Sequence, residues 1–137
     1  MSLEQDNINV YIRFLNSFNA KNLDDLDNTF HASFKDHHPG FDLNSLADYR
    51  AALGFAHDVL AIQGILESVI ATGDKVITRV ALKGKHIGNC FGIEPTGQDV
   101  SWSTIEIWRV ENGKFAERWA QDDMLGLLKQ MGVPLPI

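Results

Sequence analysis

Residues Asp99–Gly132 contain the strongest structural signals of this chain and read D-V-S-W-S-T-I-E-I-W-R-V-E-N-G-K-F-A-E-R-W-A-Q-D-D-M-L-G-L-L-K-Q-M-G. On either side of Asn112-Gly113 lie segments that are rich in Trp, Ile, Val and Thr and contain no proline, a composition typical of β-strands. Asn-Gly supplies the two positive φ angles that a two-residue type I′ turn requires. The sequence therefore predicts a β-hairpin followed by a helix from about Asp123 to Met131, which ends at Gly132.

This hairpin predicts a register, because a two-residue loop pairs Glu111 with Lys114 and side chains alternate between the two faces of a strand. Continued without interruption, the register places all three tryptophans on one face with three carboxylates. That face carries Trp102, Thr104, Glu106, Trp108, Phe115, Glu117, Trp119, Gln121 and Asp123. Apolar rings with a few polar groups suit the wall of a ligand pocket. The alternative is a half-covered sheet whose Glu side chains reach solvent past the rings.

The opposite face of the hairpin is unusually apolar for a surface. It carries Ser101, Ser103, Ile105, Ile107, Ala116 and Ala120. Because an exposed apolar patch usually marks a contact, we expect a homodimer formed sheet to sheet.

The rest of the chain places helical patterns before alternating ones. Helices are predicted at Asp6–Ala20, Leu23–Phe30 and Leu46–Leu60, and strands at Gln63–Thr72 and Lys75–Ile87. The tail Val133–Ile137 contains two prolines and cannot continue the last helix. This order predicts one α+β domain over residues 1–137, in which a curved antiparallel or mixed sheet wraps over the N-terminal helices to form a cone, closed by one C-terminal helix.

Composition narrows the function classes. The net charge of -6 argues against nucleic acid, since phosphate binding needs clustered positive charge. No apolar run approaches the length of a membrane span, and no signal peptide is visible, so we expect a cytoplasmic protein that binds neither membrane nor nucleic acid. Cys90 is the single cysteine, so no internal disulfide is possible.

Acid–base chemistry is what the remaining residues permit. The motifs H-E-x-x-H, C-x-x-C and G-x-S-x-G are absent from the sequence, so we expect neither metal nor cofactor. A metal held by His37, His86 and Asp123 is an alternative that no motif supports. Desolvation raises the pKa of a carboxyl group, so an aspartate among Trp rings can exchange a proton with carbon next to a carbonyl. The register assigns this role to Asp123 and leaves Asp122 as the helix cap. His86 is the candidate donor to the enolate oxygen, or a strand-end histidine bonded to backbone.

Two runs resemble the SnoaL-like polyketide cyclases and ester cyclases of the nuclear-transport-factor-two-like superfamily. They are K-G-K-H-I-G-N-C-F-G-I-E-P-T-G (83–97) and I-E-I-W-R-V-E-N-G-K-F-A-E-R-W-A-Q-D-D-M-L-G-L-L-K-Q-M-G (105–132). The resemblance is specific over residues 74–132. It implies a cone-shaped α+β domain that closes a ring of a polyketide ester by intramolecular aldol condensation, without metal or cofactor. It also implies that Asp123 is the acid/base and that His86, Glu106, Glu117 and His37 are polar pocket positions.

The sequence therefore predicts a cofactor-free acid/base enzyme of the cyclase, isomerase or dehydratase type, acting at carbon α to a carbonyl of a small hydrophobic ligand. The alternative is a non-catalytic module that binds such a ligand or dimerises. The predicted catalytic residues are Asp123 and His86, and the predicted substrate contacts are Trp102, Glu106, Trp108, Glu117, Trp119, His37 and Tyr11.

Overall fold

A computed structural model describes residues 2–134, so the end of the predicted tail, residues 135–137, lies outside the described part. Four helices, α1–α4, span Leu3–Asn19, Leu26–Thr29, Leu46–Leu60 and Met124–Gln130, and a 3-10 turn at Leu23–Asp25 precedes α2. Six strands, β1–β6, span Phe30–His38, Phe41–Leu43, Gln63–Thr72, Lys75–Lys85, Asp99–Glu111 and Lys114–Asp122. The predicted α+β class is confirmed: N-terminal helices, a mixed sheet and a C-terminal helix.

The sheet has the strand order β2-β1-β6-β5-β4-β3. Neighbouring strands are antiparallel except β1 and β6, which run parallel. Strand β1 is not among the predicted elements: it begins at Phe30, the residue at which the predicted helix Leu23–Phe30 ends. Its pairing with β6 sets Asp36 beside Arg118 and His37 beside Trp119, which decides the composition of the site.

The hairpin turn is confirmed, but the predicted register is wrong beyond Phe115. Asn112 and Gly113 both have positive φ, at 50° and 77°, and Val110 pairs with Phe115 as expected. The next pair is Arg109 with Glu117, which leaves Ala116 as an extra residue in β6. Such a β-bulge moves every later side chain of its strand to the other face.

The bulge exchanges the two faces of β6. Arg118 and Ala120 are buried on the inner face, while Trp119 is 38% exposed on the outer face beside Ile107. The prediction that the three tryptophans share one face is therefore wrong, and so is the placement of Ala120 on the outer surface.

Aromatic rings fill the core between α1 and the sheet. Helix α1 begins after Ser2, whose hydroxyl accepts the Gln5 N–H at 3.1 Å, and it buries Tyr11, Phe14 and Phe18 on one stripe. Ring centroids of Phe14 and Trp108 lie 5.4 Å apart. This packing fixes α1 across the concave face of the sheet and leaves space beyond it, towards α3 and α4.

Within residues 2–134, no helix is both long enough and apolar enough to span a membrane.

Candidate active site

A cavity of about 280 Å³ lies between the concave face of the sheet and helices α1, α3 and α4. Aliphatic and aromatic side chains form most of its wall, with a few polar groups. The polar or titratable lining residues are Tyr11, Asp36, His38, Tyr49, Trp102, Thr104, Glu106, Arg118 and Asp122. A mostly apolar wall with a few placed polar groups is the usual composition of a small-molecule site.

The mouth of the cavity is ringed by exposed apolar side chains from four parts of the chain. Phe41 comes from β2, Phe55 from α3, Phe91 from the β4–β5 connection and Met124 from α4. Their exposure, from 36% for Met124 to 64% for Phe91, shows that solvent reaches the cavity here.

Arg118 holds two of the three cavity carboxylates. Its Nη1 donates to both oxygens of Asp36 at 2.9 and 3.0 Å, and its Nε donates to Glu106 Oε2 at 2.8 Å. Its Nη2 lies 2.6 Å from the same Glu106 oxygen. The guanidinium carbon also lies 5.1 Å from the centre of the Trp108 ring. The planar guanidinium matches carboxylate geometry, so it fixes both acids against the wall.

Two hydroxyl groups complete the partners of Glu106. Tyr11 donates to Glu106 Oε1 at 3.1 Å, and Thr78 donates to the same oxygen at 2.8 Å. Burial, followed by the adjacent Glu106 charge, raises the pKa of Tyr11 well above its usual range, so this hydroxyl remains a donor.

The charge on Asp36 follows from its neighbours. Burial raises the pKa of a carboxyl group, but Arg118 and His38 more than offset burial and hold the pKa of Asp36 below its ordinary value. For Arg118, burial opposes the charge, while Tyr49, Glu106 and Asp36 raise its pKa well above the usual range. Asp36 and Arg118 are therefore both charged at neutral pH.

Asp122 is held differently from the other two carboxylates. It accepts the Trp102 indole N–H at 3.1 Å and the Thr104 O–H at 2.7 Å, both from neutral donors. A hydroxyl group can also accept a hydrogen bond, so Thr104 can serve Asp122 in its protonated form as well. None of the hydrogen bonds or ion pairs among residues 2–134 joins Asp122 to Arg118, which distinguishes it from Asp36 and Glu106.

Tyr49 places a phenol group in the same cavity. No hydrogen bond joins its hydroxyl to another of the residues 2–134, although the residue is 4% exposed and lines the cavity. Burial raises the pKa of Tyr49 well above its usual range, partly offset by Arg118. The phenol remains protonated and is available to donate a hydrogen bond to a ligand oxygen.

Three of the predicted substrate contacts line the cavity: Tyr11, Trp102 and Glu106. Trp108 shares their face of the sheet but is fully buried among Tyr11, Phe14 and Phe115, so it supports the wall from behind. Contact between the three lining residues and a substrate stays a prediction.

Three other predicted contacts lie on the outer face of the sheet, so their placement in the pocket is wrong. His37 Nε2 is 2.7 Å from Glu117 Oε2, and the His37 ring stacks on Trp119 with centroids 5.5 Å apart. Arg109 also donates to Glu117, at 3.2 Å. The bulge at Ala116 moved Glu117 and Trp119 outward, and His37 faces outward because it pairs with Trp119.

The two adjacent aspartates exchange their predicted places. Asp123 is the N-cap of α4, where its Oδ1 accepts the Gly126 N–H at 3.0 Å, and its side chain is not part of the cavity wall. Asp122, predicted as the cap, faces the cavity. The same one-residue shift at Ala116 explains both corrections.

His86 is fully buried but is not part of the cavity wall. Its Nδ1 accepts the Thr96 backbone N–H at 3.2 Å and lies 3.1 Å from the Thr96 hydroxyl, so it fixes the connection that follows β4. This is the backbone-bonded alternative considered from the sequence, and the predicted placement of His86 in the pocket is wrong.

Sequence reasoning missed Arg118, Asp36, His38 and Tyr49 as site residues. A signal existed in β1, because Phe34, Asp36 and His38 alternate as one face of a strand. Placing Arg118 on the inner face requires knowledge of the bulge, and nothing in the sequence around Ala116 indicates that bulge.

The helices, the mixed sheet and the cavity between them define an α+β domain with the nuclear-transport-factor-two-like fold. The chain belongs to the SnoaL-like polyketide cyclase family, whose family model matches residues 9–131. It is 26% identical to the aklanonic acid methyl ester cyclase DnrD of Streptomyces peucetius, over 94% of this chain and 92% of that protein. It is 25% identical to the nogalonic acid methyl ester cyclase of Streptomyces nogalater, over 89% of this chain and 94% of that protein. This distant homology points to a cyclase-type activity.

Solved structures share the architecture. AclR of Streptomyces galilaeus, described as a candidate hydroxylase, matches with a TM-score of 0.87 and 24% identity over 96% of this chain and 89% of that chain. TsrD of Streptomyces laurentii matches with a TM-score of 0.83 and 28% identity over 96% of this chain and 98% of that chain. Because one fold supports different chemistries, the reaction has to be argued from the residues of the cavity.

Proposed function

We propose that this protein is a cofactor-independent cyclase in which Asp122 takes a proton from carbon α to a carbonyl of an apolar ester substrate. The observation that carries the proposal is the difference among the three cavity carboxylates. Arg118 is hydrogen bonded to both Asp36 and Glu106, whereas the hydrogen bonds that Asp122 accepts among residues 2–134 come from the neutral donors Trp102 and Thr104. A general base must bind and release a proton, and a carboxylate fixed to a buried guanidinium cannot do so readily.

Ring closure by this route conserves atoms and electrons. The Asp122 carboxylate takes the α proton, and the C–H electron pair forms an enolate. The enolate carbon then attacks a second carbonyl carbon of the same molecule, and the π electrons of that carbonyl move to its oxygen. Protonation of this alkoxide gives a β-hydroxy ring product, an isomer of the substrate, so the reaction consumes no oxidant or reductant.

Tyr49 supplies the hydrogen-bond donor for the enolate oxygen in this proposal. Its hydroxyl lines the cavity without a partner among the described residues, and burial keeps it protonated. Donors aimed at developing negative charge in a site that excludes water lower the barrier most, and loss of one such donor typically slows turnover about 100- to 1,000-fold.

The substrate class follows from the wall and the relatives. An apolar wall suits a hydrophobic ligand, and the rim of Phe41, Phe55 and Phe91 lets such a ligand extend beyond the cavity. The relatives are named as cyclases of aklanonic acid and nogalonic acid methyl esters. Methyl esters of polyketide acids are therefore the first substrates to test.

The experiment compares turnover of these two esters by the unaltered protein, Asp122→Asn and Asp123→Ala, with product formation followed by chromatography and mass spectrometry. We expect Asp122→Asn to keep its fold and lose about 100-fold or more in kcat. Asp123→Ala is the matched control: it should retain turnover and lose about 1 kcal/mol of stability with the helix cap. Tight binding of the esters without turnover by the unaltered protein would instead favour the non-catalytic binding module.

We also propose that the protein forms a homodimer through the outer face of its sheet. Ile65, Ile70, Ile105 and Ile107 are each at least 40% exposed, and register places them all on this face. Trp119 adds an indole ring beside Ile107. Several exposed apolar side chains on one face of a sheet are typical of a protein contact, and a second copy offers the same surface.

A further inference from the structure

An imidazole–carboxylate pair lies in the cavity wall at the end of β1. His38 Nε2 is 2.8 Å from Asp36 Oδ2, and both residues line the cavity. Asp36 is completely buried, while the His38 side chain retains 19% of its exposure. His38 is therefore the member of the pair that reaches the open part of the cavity, and Asp36 is the member that is buried in the wall.

The neighbours of His38 decide which ring nitrogen carries the proton. Nε2 lies 2.8 Å from the Asp36 carboxylate and 3.2 Å from Arg118 Nη1. A carboxylate only accepts hydrogen bonds and a guanidinium only donates them, so Nε2 can satisfy one of the two. The carboxylate is closer and ionised, so Nε2 carries hydrogen and donates it to Asp36. In the neutral ring, the lone pair is then on Nδ1, and none of the hydrogen bonds among residues 2–134 uses that atom.

Arg118 makes this arrangement rigid. It binds both Asp36 oxygens, which leaves the carboxylate no freedom to rotate away from His38. The His38 ring is stacked on Phe41 as well, with centroids 4.8 Å apart and planes 10° apart. Groups that transfer protons need this kind of support from a second layer of contacts.

We propose that His38 is a second proton-transfer residue of this cavity, oriented by Asp36, and that its Nδ1 delivers a proton to the alkoxide formed on ring closure. This inference rests on the proposed function, in which Asp122 takes the α proton. In the proposed step the His38 ring gives its Nδ1 proton to the alkoxide and keeps the Nε2 proton that it shares with Asp36, while Asp122 holds the proton taken from carbon. A proton passes from Asp122 to His38 through water after product release, so the cycle closes without a co-reactant.

His37 provides a matched control for this proposal. It is the preceding residue, it is also hydrogen bonded to a carboxylate, Glu117, and it faces the outer side of the sheet. A variant of His37 removes an imidazole–carboxylate contact of the same kind without touching the cavity.

The experiment measures kcat and KM of His38→Ala and His37→Ala for an ester that the unaltered protein converts, with and without added imidazole. We expect His38→Ala to lower kcat about 100-fold with KM changed less than about threefold, and imidazole to restore part of the kcat in a saturable manner. His37→Ala should keep kcat and not respond to imidazole. Unchanged kcat in His38→Ala, or a loss that imidazole does not restore, would overturn the assignment.

A second readout needs no substrate. Nitrogen-15 NMR of the histidine rings should show neutral His38 with its proton on Nε2, and a proton on Nδ1 would contradict the proposed orientation. If the unaltered protein turns over neither ester, the proposed function fails; if it is active and His38→Ala is equally active, only the role of His38 fails.

Discussion

Replacing Arg118 with Leu tests the charge arrangement of the cavity wall. The Arg118 side chain is 8% exposed, and its removal leaves Asp36 and Glu106 buried without their shared cation. Breaking a buried ion pair by removing one partner costs about 3 to 5 kcal/mol, and two stranded carboxylates place this variant at the upper end. We therefore expect Arg118→Leu to lose about 5 kcal/mol of unfolding free energy at pH 7.

The stability difference between the unaltered protein and Arg118→Leu should change with pH in a defined direction. The folded-state pKa of Asp36 lies below its ordinary value of 3.8, so its contribution to stability is complete above that value and is lost as pH falls through the folded pKa. Without Arg118, burial raises the pKa of the same carboxyl, so the variant becomes more stable as the pH falls from 7 to 5 and protons bind. The difference between the two proteins should therefore narrow on acidification.

Urea unfolding followed by tryptophan fluorescence and circular dichroism at pH 7 and pH 5 measures this difference. Arg79→Leu is the control, because the Arg79–Glu67 pair is exposed, and its loss should cost no more than about 1 kcal/mol at either pH. A loss below 1 kcal/mol for Arg118→Leu, or the same loss at both pH values, would show that Arg118 does not stabilise the buried carboxylates in this way.

Two further predictions concern the surfaces. Phe91→Ser should raise KM about tenfold for an ester that extends through the mouth and leave kcat within about twofold, because the rim contributes apolar contact rather than chemistry. Steady-state kinetics checks this, with Ile87→Ser as an exposed control. Equal KM values for Phe91→Ser and the unaltered protein would exclude a rim contact. Ile107→Glu should convert a dimer to a monomer in analytical ultracentrifugation at micromolar concentration, and a monomeric unaltered protein would rule out the proposed interface.

Local patterns in the sequence predict the elements well. Asn112-Gly113 identifies the hairpin because both residues must adopt positive φ, and Ser45 identifies the start of α3 because its hydroxyl accepts the Asp48 N–H at 3.1 Å. These signals depend on neighbours in the chain, so a single sequence contains them. The helix-then-meander order that leads to the α+β class depends on the same local periods.

The composition of the site depends on two features without a local signal. Ala116 adds one residue to β6, and nothing about alanine distinguishes a bulge from a regular strand position. The parallel pairing of β1 with β6 joins residues about 80 positions apart, and it brings Asp36 to Arg118. Because side chains alternate between faces, an error of one residue in register changes the face of every later residue in the strand. This is why the sequence predicts Asp123 and Trp119 in the pocket.

Exchange of the substrate's α hydrogen in deuterated water, followed by proton NMR of the ester, tests directly whether Asp122 is the base. Exchange requires removal of the α proton, replacement of that proton by deuterium from solvent and its return to carbon, so it reports on enolate formation without ring closure. We predict rapid exchange with the unaltered protein and with Asp123→Ala, and a decrease of about 100-fold or more with Asp122→Asn. Exchange that persists in Asp122→Asn, or that is lost in Asp123→Ala while the fold is intact, would contradict the assignment of Asp122 as the base.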